Sequence, residues 1–395
     1  MSWAKVRKMR LMFLLDKLNC GGAERQLIEL VKGMASRGHD TSVVVFHDQG
    51  DLQRELGEAD GVEVMVLPRD GGICRMLSFP AKLGKAIRRR RPHLLHGYMG
   101  GTNELCLVMG RLTSTPVVWG IRASNMDLPR YGRFARWRFA MGAFLSRHPS
   151  LIIVNSRAGA AHHAGHGYSP DRMMVIPNGI DTERYYPDET AGTRLRREWS
   201  IGAEEIAIGI SARLDPMKDH ETFLKAAALL CRSREDIRFI CIGDYSGAHG
   251  KAMRSLGERL GLGNRLMWTG RRDDMMCAYN ALDILTCCSA YGEGFSNAVG
   301  EAMACGKLCV VTDVGDAASI VGETGVVVAS AGSPEDLVSA WMRVLSMPAA
   351  ERKSLGEAAR RRILDLFSRE MLITRTEEAL SRVIERAPHL EAFHV

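Results

Sequence analysis

The sequence predicts an α/β protein of two domains, each built on a parallel sheet. Its 395 residues are too many for one ordinary core and fit two cores of roughly 180 residues each. Short apolar runs alternate with longer helical patterns along the chain, and a segment rich in Pro, Gly and charge interrupts them near the middle. Apolar residues at 46% and charged residues at 25% exclude a disordered tail or a fibrous repeat.

Six strands are predicted before the interruption, and helical patterns separate most of them. The first helical pattern has apolar residues at one-face spacing between Leu27 and Ala35, and Gly38 follows as its stop signal. The predicted strands are Leu11–Leu15, Thr41–Phe46, Val62–Leu67, His93–His96, Pro116–Trp119 and Leu151–Val154.

The interruption runs from Ile176 to Asp188 and places a linker near 178–192. Beyond it the alternation restarts, so the second half repeats the architecture of the first. The strands predicted there are Ile206–Ser211, Ile237–Ile242, Leu266–Thr269, Asp283–Cys287, Leu308–Val311 and Gly325–Val328. Three helical segments, at about 334–346, 350–366 and 368–386, close the chain.

The longest apolar runs are strand-sized, well short of the roughly 18–20 residues that span a bilayer. The basic N-terminus has only five apolar residues before Asp16, too few for a secretory signal, so a cytoplasmic protein is expected. No cysteine pair has CxxC spacing, which favours reduced, buried thiols over metal or redox chemistry. The cysteines are at positions 20, 74, 106, 231, 241, 277, 287, 288, 305 and 309.

Positive charge is concentrated in the first half of the chain. Residues 1–190 carry 27 Lys and Arg against 18 Asp and Glu, or +9, which leaves −2 for the remainder of a chain whose net charge is +7. Much of the excess lies in Arg88–Arg91 and in the arginines from Arg130 to Arg147, among aromatic residues. An anionic partner such as the inner face of a membrane is one hypothesis, and a solvated helix face is the alternative. Nucleic acid is not favoured, because no recognition motif accompanies the charge.

Ligands of parallel α/β folds bind at the carboxyl ends of the strands, so binding and catalytic residues are expected in the loops after strands. The first such loop contains Gly21-Gly22 at the start of a helical pattern. Free amides at a helix N-terminus suit a phosphate or sugar oxygen, although a generic Gly-Gly turn has the same appearance. The loop after Ile206–Ser211 carries Arg213 and Lys218, two cations that could clamp a diphosphate or form surface salt bridges.

The most informative stretch contains Glu293 and Glu301. Gly292 and Gly294 keep Glu293 on a loop, Ser296 can cap a helix N-terminus, and Gly306 can end that helix. A diphosphate could bind the free amides around 296–298 while each glutamate accepts hydrogen bonds from ribose or sugar hydroxyls.

Five motifs in this order resemble family 4 retaining glycosyltransferases, and together they span residues 21–325. They are Gly21-Gly22-Ala23-Glu24, Ile176-Pro177-Asn178-Gly179-Ile180-Asp181, the Arg213 and Lys218 pair, Glu293 followed by Gly294-Phe295, and Glu293-x7-Glu301. The resemblance implies the GT-B fold, in which two Rossmann-like domains face each other across a cleft. It also implies a nucleotide-diphosphate sugar as co-substrate and no obligatory metal or other cofactor.

The resemblance further implies that the two domains bind different substrates. Residues 1–185 would bind the acceptor, 186–366 would bind the nucleotide sugar, and 367–395 would return as a helix to the first domain. Arg213 and Lys218 would hold the diphosphate, Glu301 the ribose and Glu293 the donor sugar. The remaining donor contacts would come from the amides of Phe295, Ser296 and Asn297, from Gly22 and, near the base, from Arg271.

One position departs from the commoner family pattern. Many members have a His on the loop after the fifth strand, where this chain has Arg122. Since arginine is not a general base at ordinary pH, an electrostatic role on phosphate or acceptor is expected. His96, after the fourth strand, points towards the acceptor or sugar, with a structural histidine as the alternative. The stretch Trp119 to Asn125 is similar to enzymes of surface-polysaccharide and lipopolysaccharide assembly.

The sequence thus predicts a retaining glycosyltransferase of cell-surface glycan biosynthesis with a lipid-linked or polysaccharide acceptor. A sugar-nucleotide epimerase of the same two-domain plan and a non-catalytic glycan- or membrane-binding partner are the alternatives. No metal site is assigned, because His162, His163 and His166 have no Cys or carboxylate nearby in sequence.

Overall fold

The computed structural model describes residues 8–18, 21–47, 51–68, 73–124 and 132–387, which form two compact units. Within these ranges, the first unit comprises the chain up to Arg122, residues 132–179 and the chain from Arg369 onward. The second comprises Ala123, Ser124 and Ile180–Ser368. The chain therefore passes between the units at 122/123, 179/180 and 368/369, whereas the sequence placed two boundaries, at 185/186 and 366/367.

The first unit contains a seven-stranded parallel sheet in the order β3-β2-β1-β4-β5-β6-β7. Its strands are β1 (Arg10–Leu15), β2 (Asp40–Val45), β3 (Val62–Val66), β4 (Leu94–Tyr98), β5 (Val117–Ile121), β6 (Leu151–Val154) and β7 (Met173–Val175). Its helices are α1 (Gly22–Ser36), α2 (Asp51–Gly57), α3 (Ile73–Arg90), α4 (Thr102–Thr113), α5 (Gly132–Leu145) and α6 (Arg157–Gly165).

The second unit contains a six-stranded parallel sheet in the order β10-β9-β8-β11-β12-β13. Before it comes α7 (Glu189–Glu198), and its strands are β8 (Ile206–Ser211), β9 (Ile237–Ile242), β10 (Leu266–Gly270), β11 (Ile284–Cys287), β12 (Leu308–Thr312) and β13 (Val326–Val328). The helices after β8 are α8 (His220–Leu230), α9 (Ala248–Arg259), α10 (Met275–Ala281), α11 (Asn297–Ala304), α12 (Ala317–Val321), α13 (Pro334–Leu345) and α14 (Ala349–Leu366), and α15 (Arg369–Glu385) follows in the first unit.

The predicted fold class of two Rossmann-like parallel-sheet domains is confirmed. Every predicted strand is present, and those at Leu151–Val154, Ile206–Ser211 and Ile237–Ile242 have the predicted bounds. Strand β7 was missed because its three residues lie at the sheet edge, where their partial burial gives no continuous apolar run.

The predicted linker at 178–192 is wrong at its end, because α7 starts inside it. Asp188 caps this helix, accepting a hydrogen bond from the Ala191 amide at 2.9 Å. Tyr185 is already part of the apolar core of the second unit.

The last helix, α15, packs on α1 within the first unit. Ile373 of α15 occupies the space beside Gly33, where a Cβ would collide with it. Glu377 is bound by Arg37 and, at 2.7 Å, by His39. Small residues on α1 and a shared ion pair therefore tie the end of the chain to its beginning.

Both sheets bury their strands on two faces, as parallel sheets do. In each sheet the strand order reverses once, between β1 and β4 in the first unit and between β8 and β11 in the second. At such a switch point the flanking loops diverge and leave a crevice at the carboxyl ends of the strands. The two crevices are the natural places to look for a site.

Candidate active site

In the second unit, the loops after β8 and β11 flank the switch point and bring together predicted site residues that are far apart in sequence. The loop after β8 carries Lys218 at the end of a short 3-10 helix, Pro216–Lys218. The loop after β11 carries Glu293. The two loops are linked by the backbone, where the Ala290 amide donates to the Met217 carbonyl at 2.9 Å.

Lys218 and Glu293 form an ion pair in the crevice. The Lys218 ammonium donates to Glu293 Oε2, which also accepts a hydrogen bond from Ser289 Oγ at 3.0 Å. Both side chains are largely buried, with 17% and 9% of their areas exposed. Because the carboxylate is fixed by two donors, the lysine head is held in one position.

The pKa of Lys218 reflects two opposing effects. Burial lowers it, but the Glu293 carboxylate outweighs burial and leaves the pKa raised above its ordinary value. Lys218 is therefore a permanent cation at neutral pH, suited to holding negative charge rather than to transferring a proton.

The backbone conformation around Glu293 depends on Gly315, which was not predicted from the sequence. Gly315 has a positive φ of 67°, and a Cβ there would collide with the carbonyls of Glu293 and Gly294. The neighbouring Asp316 amide donates to the Gly294 carbonyl at 2.9 Å. The predicted glycine at 292 also has a positive φ, of 74°. The loop is thus supported by the segment after β12.

Glu301 lies on α11 and is held by Tyr279 of α10. The Tyr279 hydroxyl donates to Glu301 Oε2 at 2.7 Å and lies 3.5 Å from Ser211 Oγ at the end of β8. Burial and the adjacent Glu301 charge raise the pKa of Tyr279 well above its ordinary value. The tyrosine therefore stays protonated and fixes one oxygen of Glu301.

The segment from Phe295 to Asn297 forms the start of α11. Phe295 is buried against Phe367, so only its backbone is available to a ligand. Ser296 is at the N-cap position as predicted, but its side chain accepts no capping hydrogen bond from the described helix, and its Oγ lies 3.6 Å from Cys287 Sγ. Asn297 is the first helical residue.

Arg213 and Arg271 are exposed residues that follow the strands β8 and β10. Arg213 is close enough to Lys218 to oppose the rise in its pKa. Arg271 follows Gly270, whose carbonyl accepts from the Gly243 amide at 3.0 Å. Both side chains are long and are hydrated at the surface of the second unit.

In the first unit, Gly22 opens α1 directly after β1. The N-cap residue, Gly21, has an extended backbone, and a Cβ there would collide with the flexible Glu24 carboxylate. One turn further on, Gln26 forms two hydrogen bonds of 2.8 Å with the backbone N–H and C=O of Gly179. The predicted linker motif is thus attached to α1.

Arg122 follows β5, and two neighbouring side chains hold its guanidinium in place as a cation. Its guanidinium lies 4.4 Å from the centre of the Tyr98 ring, and Nη1 donates to Asn178 Oδ1 at 3.3 Å. Asn178 belongs to the linker motif and is buried. The geometry agrees with a fixed positive charge at this edge of the sheet.

His96 is completely buried on β4, between the rings of Phe13 and Tyr98 at 5.4 and 5.6 Å. Neither ring nitrogen has a hydrogen-bond partner among the described residues. Burial, and secondarily Arg122, lower its pKa to about 3, so the imidazole is neutral at physiological pH. His96 therefore lies inside β4 and not after it as predicted, because the strand continues to Tyr98, and its full burial favours the structural alternative. The fixed cation Arg122 follows β5 at the carboxyl edge of the sheet.

Other sequence predictions concern residues away from the crevices. Most of the cysteines described are buried, and all are free. His162, His163 and His166 stack on one another and on Phe139, and no metal-binding group of three or more His, Cys, Asp or Glu occurs in the described part of the chain. Cys20, Arg130 and Asn125 lie outside the described residues, as does the side chain of Cys74.

Four residues that support the site were not predicted. Tyr279, Ser289 and Gln26 lie in ordinary helix or loop patterns, and their partners are 22, 4 and 153 positions away. Gly315 had a signal, since Val-Gly-Asp after a strand is typical of a turn, but the sequence does not show that its neighbour is the Glu293 loop.

Comparison with known proteins found two family models that match the chain. The model described as Glycosyltransferase Family 4 matches residues 20–184, and that described as Glycosyl transferases group 1 matches residues 193–362. The D-inositol 3-phosphate glycosyltransferase of Acidothermus cellulolyticus is 24% identical over 341 residues, which are 78% of this chain and 75% of the relative.

Two solved structures show the same fold. HepE of Anabaena in complex with UDP and glucose has a TM-score of 0.83 and 23% identity, over 95% of this chain and 100% of that chain. WaaG, a glycosyltransferase involved in lipopolysaccharide biosynthesis, has a TM-score of 0.72 and 18% identity, over 95% and 100% of the two chains. In the described part of this chain, no helix is long and apolar enough to cross a bilayer.

Proposed function

Since the chain belongs to the glycosyltransferases, with a Family 4 region and a group 1 region, we propose that it moves a sugar from a nucleotide-diphosphate sugar to a hydroxyl acceptor with retention at the anomeric carbon. The observation that carries the proposal is the crevice of the second unit. There, the Lys218–Glu293 pair and the Tyr279–Glu301 pair hold a cation and two carboxylates at a switch point of the sheet.

In the proposed complex, Arg213 and Lys218 bind the diphosphate. The amides of Phe295, Ser296 and Asn297 at the start of α11 face phosphate or sugar oxygens, and Glu301 accepts from the ribose hydroxyls. Glu293 accepts from a donor-sugar hydroxyl with the oxygen that Lys218 and Ser289 leave available. Arg271 lies towards the base, and Gly22 of the first unit is assigned to the diphosphate. Uridine is the first base to test, since HepE was solved with UDP.

The proposed reaction is a front-face displacement. The bond between the anomeric carbon and the phosphate oxygen breaks, and its electron pair leaves on the nucleoside diphosphate. The acceptor oxygen bonds to the same face of the carbon, and its proton passes to the departing phosphate oxygen. Arg213 and Lys218 stabilise the charge that develops on that oxygen. The route needs no carboxylate nucleophile, no general base and no metal.

The first unit is assigned to the acceptor. Arg122, held by Tyr98 and Asn178, would supply positive charge beside the reacting groups, whereas the fully buried His96 is assigned the structural role. A lipid-linked or polysaccharide intermediate of cell-surface glycan synthesis is the proposed acceptor class, made at the cytoplasmic face of an anionic membrane. The likeness to WaaG supports this class.

The test combines product analysis with matched variants. UDP-glucose is incubated with the protein alone and with a panel of alkyl glycosides, and proton NMR coupling constants give the anomeric configuration of any product. We expect a new glycosidic bond with the donor configuration, a large loss in Glu293→Ala and Lys218→Ala, and none in Lys225→Ala. A product of inverted configuration, or normal turnover in both site variants at limiting donor, would contradict the proposal.

The same assay separates the alternatives. An epimerase would change the sugar of the nucleotide donor in the absence of any acceptor. A non-catalytic partner would neither turn over a donor nor bind a nucleoside diphosphate.

A further inference from the structure

Helix α5 exposes four large apolar side chains on one side. Phe134, Trp137, Met141 and Phe144 are 73%, 58%, 37% and 61% exposed. Their spacing of 3, 4 and 3 residues, at about 100° per residue, places them in one stripe along the helix. The residues that α5 buries are Gly142 and Ala143. Phe139, on the other side of the helix, packs against the core, so α5 has a second apolar side that the described part of its own domain does not cover.

Helix α4, which approaches α5, also exposes apolar side chains. The two helices approach at Gly142, where a Cβ would collide with the Tyr168 hydroxyl and lie 3.3 Å from Glu104 of α4. Val108 and Leu112, one and two turns beyond Glu104, are 54% and 65% exposed. We call the six exposed residues the aromatic stripe; they are Phe134, Trp137, Met141, Phe144, Val108 and Leu112.

The surroundings of the aromatic stripe are basic. The described residues 132–170 contain five arginines and no Asp or Glu, and Glu104 of α4 is an acidic neighbour of α5. Near the C-terminal ends of α4 and α5, a cavity of about 610 Å³ has an apolar floor and no acidic residue in its lining. Its basic lining residues are Arg111, His148, Arg172, Arg382 and Arg386.

We propose that the aromatic stripe docks into the headgroup region of a bilayer that contains anionic phospholipid. Aromatic rings with a rim of arginines are typical of helices that lie in this region, where the rings enter the acyl boundary and the cations meet phosphates. A second copy of the chain fits less well, because a two-fold interface would bring two arginine-rich surfaces together without acidic partners.

Docking in this way has a consequence for the reaction, which rests on the proposed function. In a parallel α/β unit, the helix after a strand begins at the carboxyl edge of the sheet. The N-terminal end of α5, with Phe134, therefore lies towards the edge that holds Arg122 and His96. A bilayer bound to the aromatic stripe would therefore lie close to the carboxyl edge of the sheet. A lipid-linked acceptor in that bilayer could present its hydroxyl at this edge.

The test is flotation of the full chain with vesicles of phosphatidylcholine, alone or mixed equally with phosphatidylglycerol. We expect the chain to float with the anionic vesicles only. Phe134→Ser with Trp137→Ser should lower the partition coefficient about tenfold or more. The matched control is Met342→Ser with Leu364→Ser, a pair of apolar residues 38% and 40% exposed in the second unit, which should leave it unchanged.

The contribution of the arginines to vesicle binding and the depth of insertion of Trp137 are tested separately. Arg133→Gln with Arg136→Gln should lower anionic binding about tenfold, whereas Arg259→Gln with Arg343→Gln, the same charge change on the second unit, should have a smaller effect. Brominated acyl chains should quench the fluorescence of Trp137. In Trp137→Phe, this quenching should disappear while vesicle binding persists.

Three results would overturn the inference. They are unchanged partition in the Phe134 and Trp137 double variant, an equal loss in the Met342 and Leu364 control, and a dimer by light scattering that this double variant converts to monomer. Circular dichroism verifies that each variant is folded. None of these readouts requires transfer activity, so their failure is distinct from failure of the proposed function.

Discussion

The two units share a topology but differ in the charged groups that follow the strands at their switch points. In the second unit, the buried charges are paired, Lys218 with Glu293, and Glu301 is held by Tyr279. In the first unit, His96 is buried and neutral, and both ring nitrogens lack a partner among the described residues. His220, beside Lys218 in the second unit, is buried in the same way. The difference therefore lies in the charges, since the second unit has a cation and two carboxylates and the first has Arg122, held by a ring and an amide.

The difference indicates two modes of recognition. A crevice with fixed charges suits an invariant ligand such as a diphosphate, because its groups need no rearrangement on binding. A crevice with a single fixed cation, Arg122, attracts an anionic group but fixes fewer contacts in advance. The same fold can therefore combine a constant donor with an acceptor that differs between enzymes.

The largest expected effect comes from Lys218→Ala. Removing the cation leaves Glu293 buried beside Ser289 without its charge partner, which should destabilise the second unit by about 3–5 kcal/mol. Loss of charge stabilisation should lower kcat/KM about 10²–10³-fold. The control, Lys225→Ala, removes an exposed pair with Glu221, which contributes about 0.3–0.5 kcal/mol. Urea denaturation and donor kinetics measure both; equal effects in the two variants would contradict the account.

The next largest effect is expected from Gly315→Ala. A Cβ at 315 would push the Glu293 carbonyl, whereas Gly332, which also has a positive φ, faces open space. Gly315→Ala should weaken donor binding about tenfold or more relative to Gly332→Ala, because the Glu293 loop must shift. At Gly21 of the first unit the neighbour is the flexible Glu24 side chain, so Gly21→Ala should be milder. Calorimetric titration of the three variants with UDP tests this order.

The pH dependence of stability in His96→Phe tests whether His96 is buried as a neutral side chain in the first unit. Its folded-state pKa is about 3 against an ordinary value of 6.5, so between these values the unfolded chain binds the extra proton and stability falls as pH falls. At pH 5 this costs about 2 kcal/mol relative to pH 7 or above. His96→Phe should lose that much less stability between pH 7 and 5 in urea denaturation. A variant with the pH dependence of the wild type would show that His96 does not carry this linkage.

The smallest effect is expected from Tyr279→Phe. The substitution keeps the ring and removes one hydrogen bond to Glu301, worth about 1 kcal/mol. Because Tyr279 positions Glu301, the proposed ribose ligand, KM for the donor should rise about five- to tenfold with kcat nearly unchanged. A fall in kcat with constant KM would instead place Tyr279 at the reacting atoms.

The sequence predicted most of the fold because its strands are continuous apolar runs that differ from the helices in period. Ile206–Ser211 and Leu151–Val154 were predicted to the residue. Strand β7 and the start of α7 were missed, since a three-residue edge strand has no period and the Asp188 cap lies in a segment that also fits a loop.

The site was predicted only in part, for a related reason. Glu293, Glu301, Arg213 and Lys218 stand out because charged residues in loops after strands form an ordered motif. The residues that hold these side chains and loops in place do not stand out in the sequence. Tyr279 and Gly315 act through contacts that form only in the folded protein. The pairing of Lys218 with Glu293 is likewise invisible at a separation of 75 residues.

The central claim, that the second unit is built to hold a diphosphate, is tested most directly by calorimetric titration with UDP, GDP, ADP and dTDP and with the nucleoside of whichever diphosphate binds. The account predicts that one diphosphate binds at least tenfold more tightly than its nucleoside, and that this preference collapses in Lys218→Gln but not in Lys225→Gln. Equal affinity for diphosphate and nucleoside, or a preference that survives in Lys218→Gln, would contradict it.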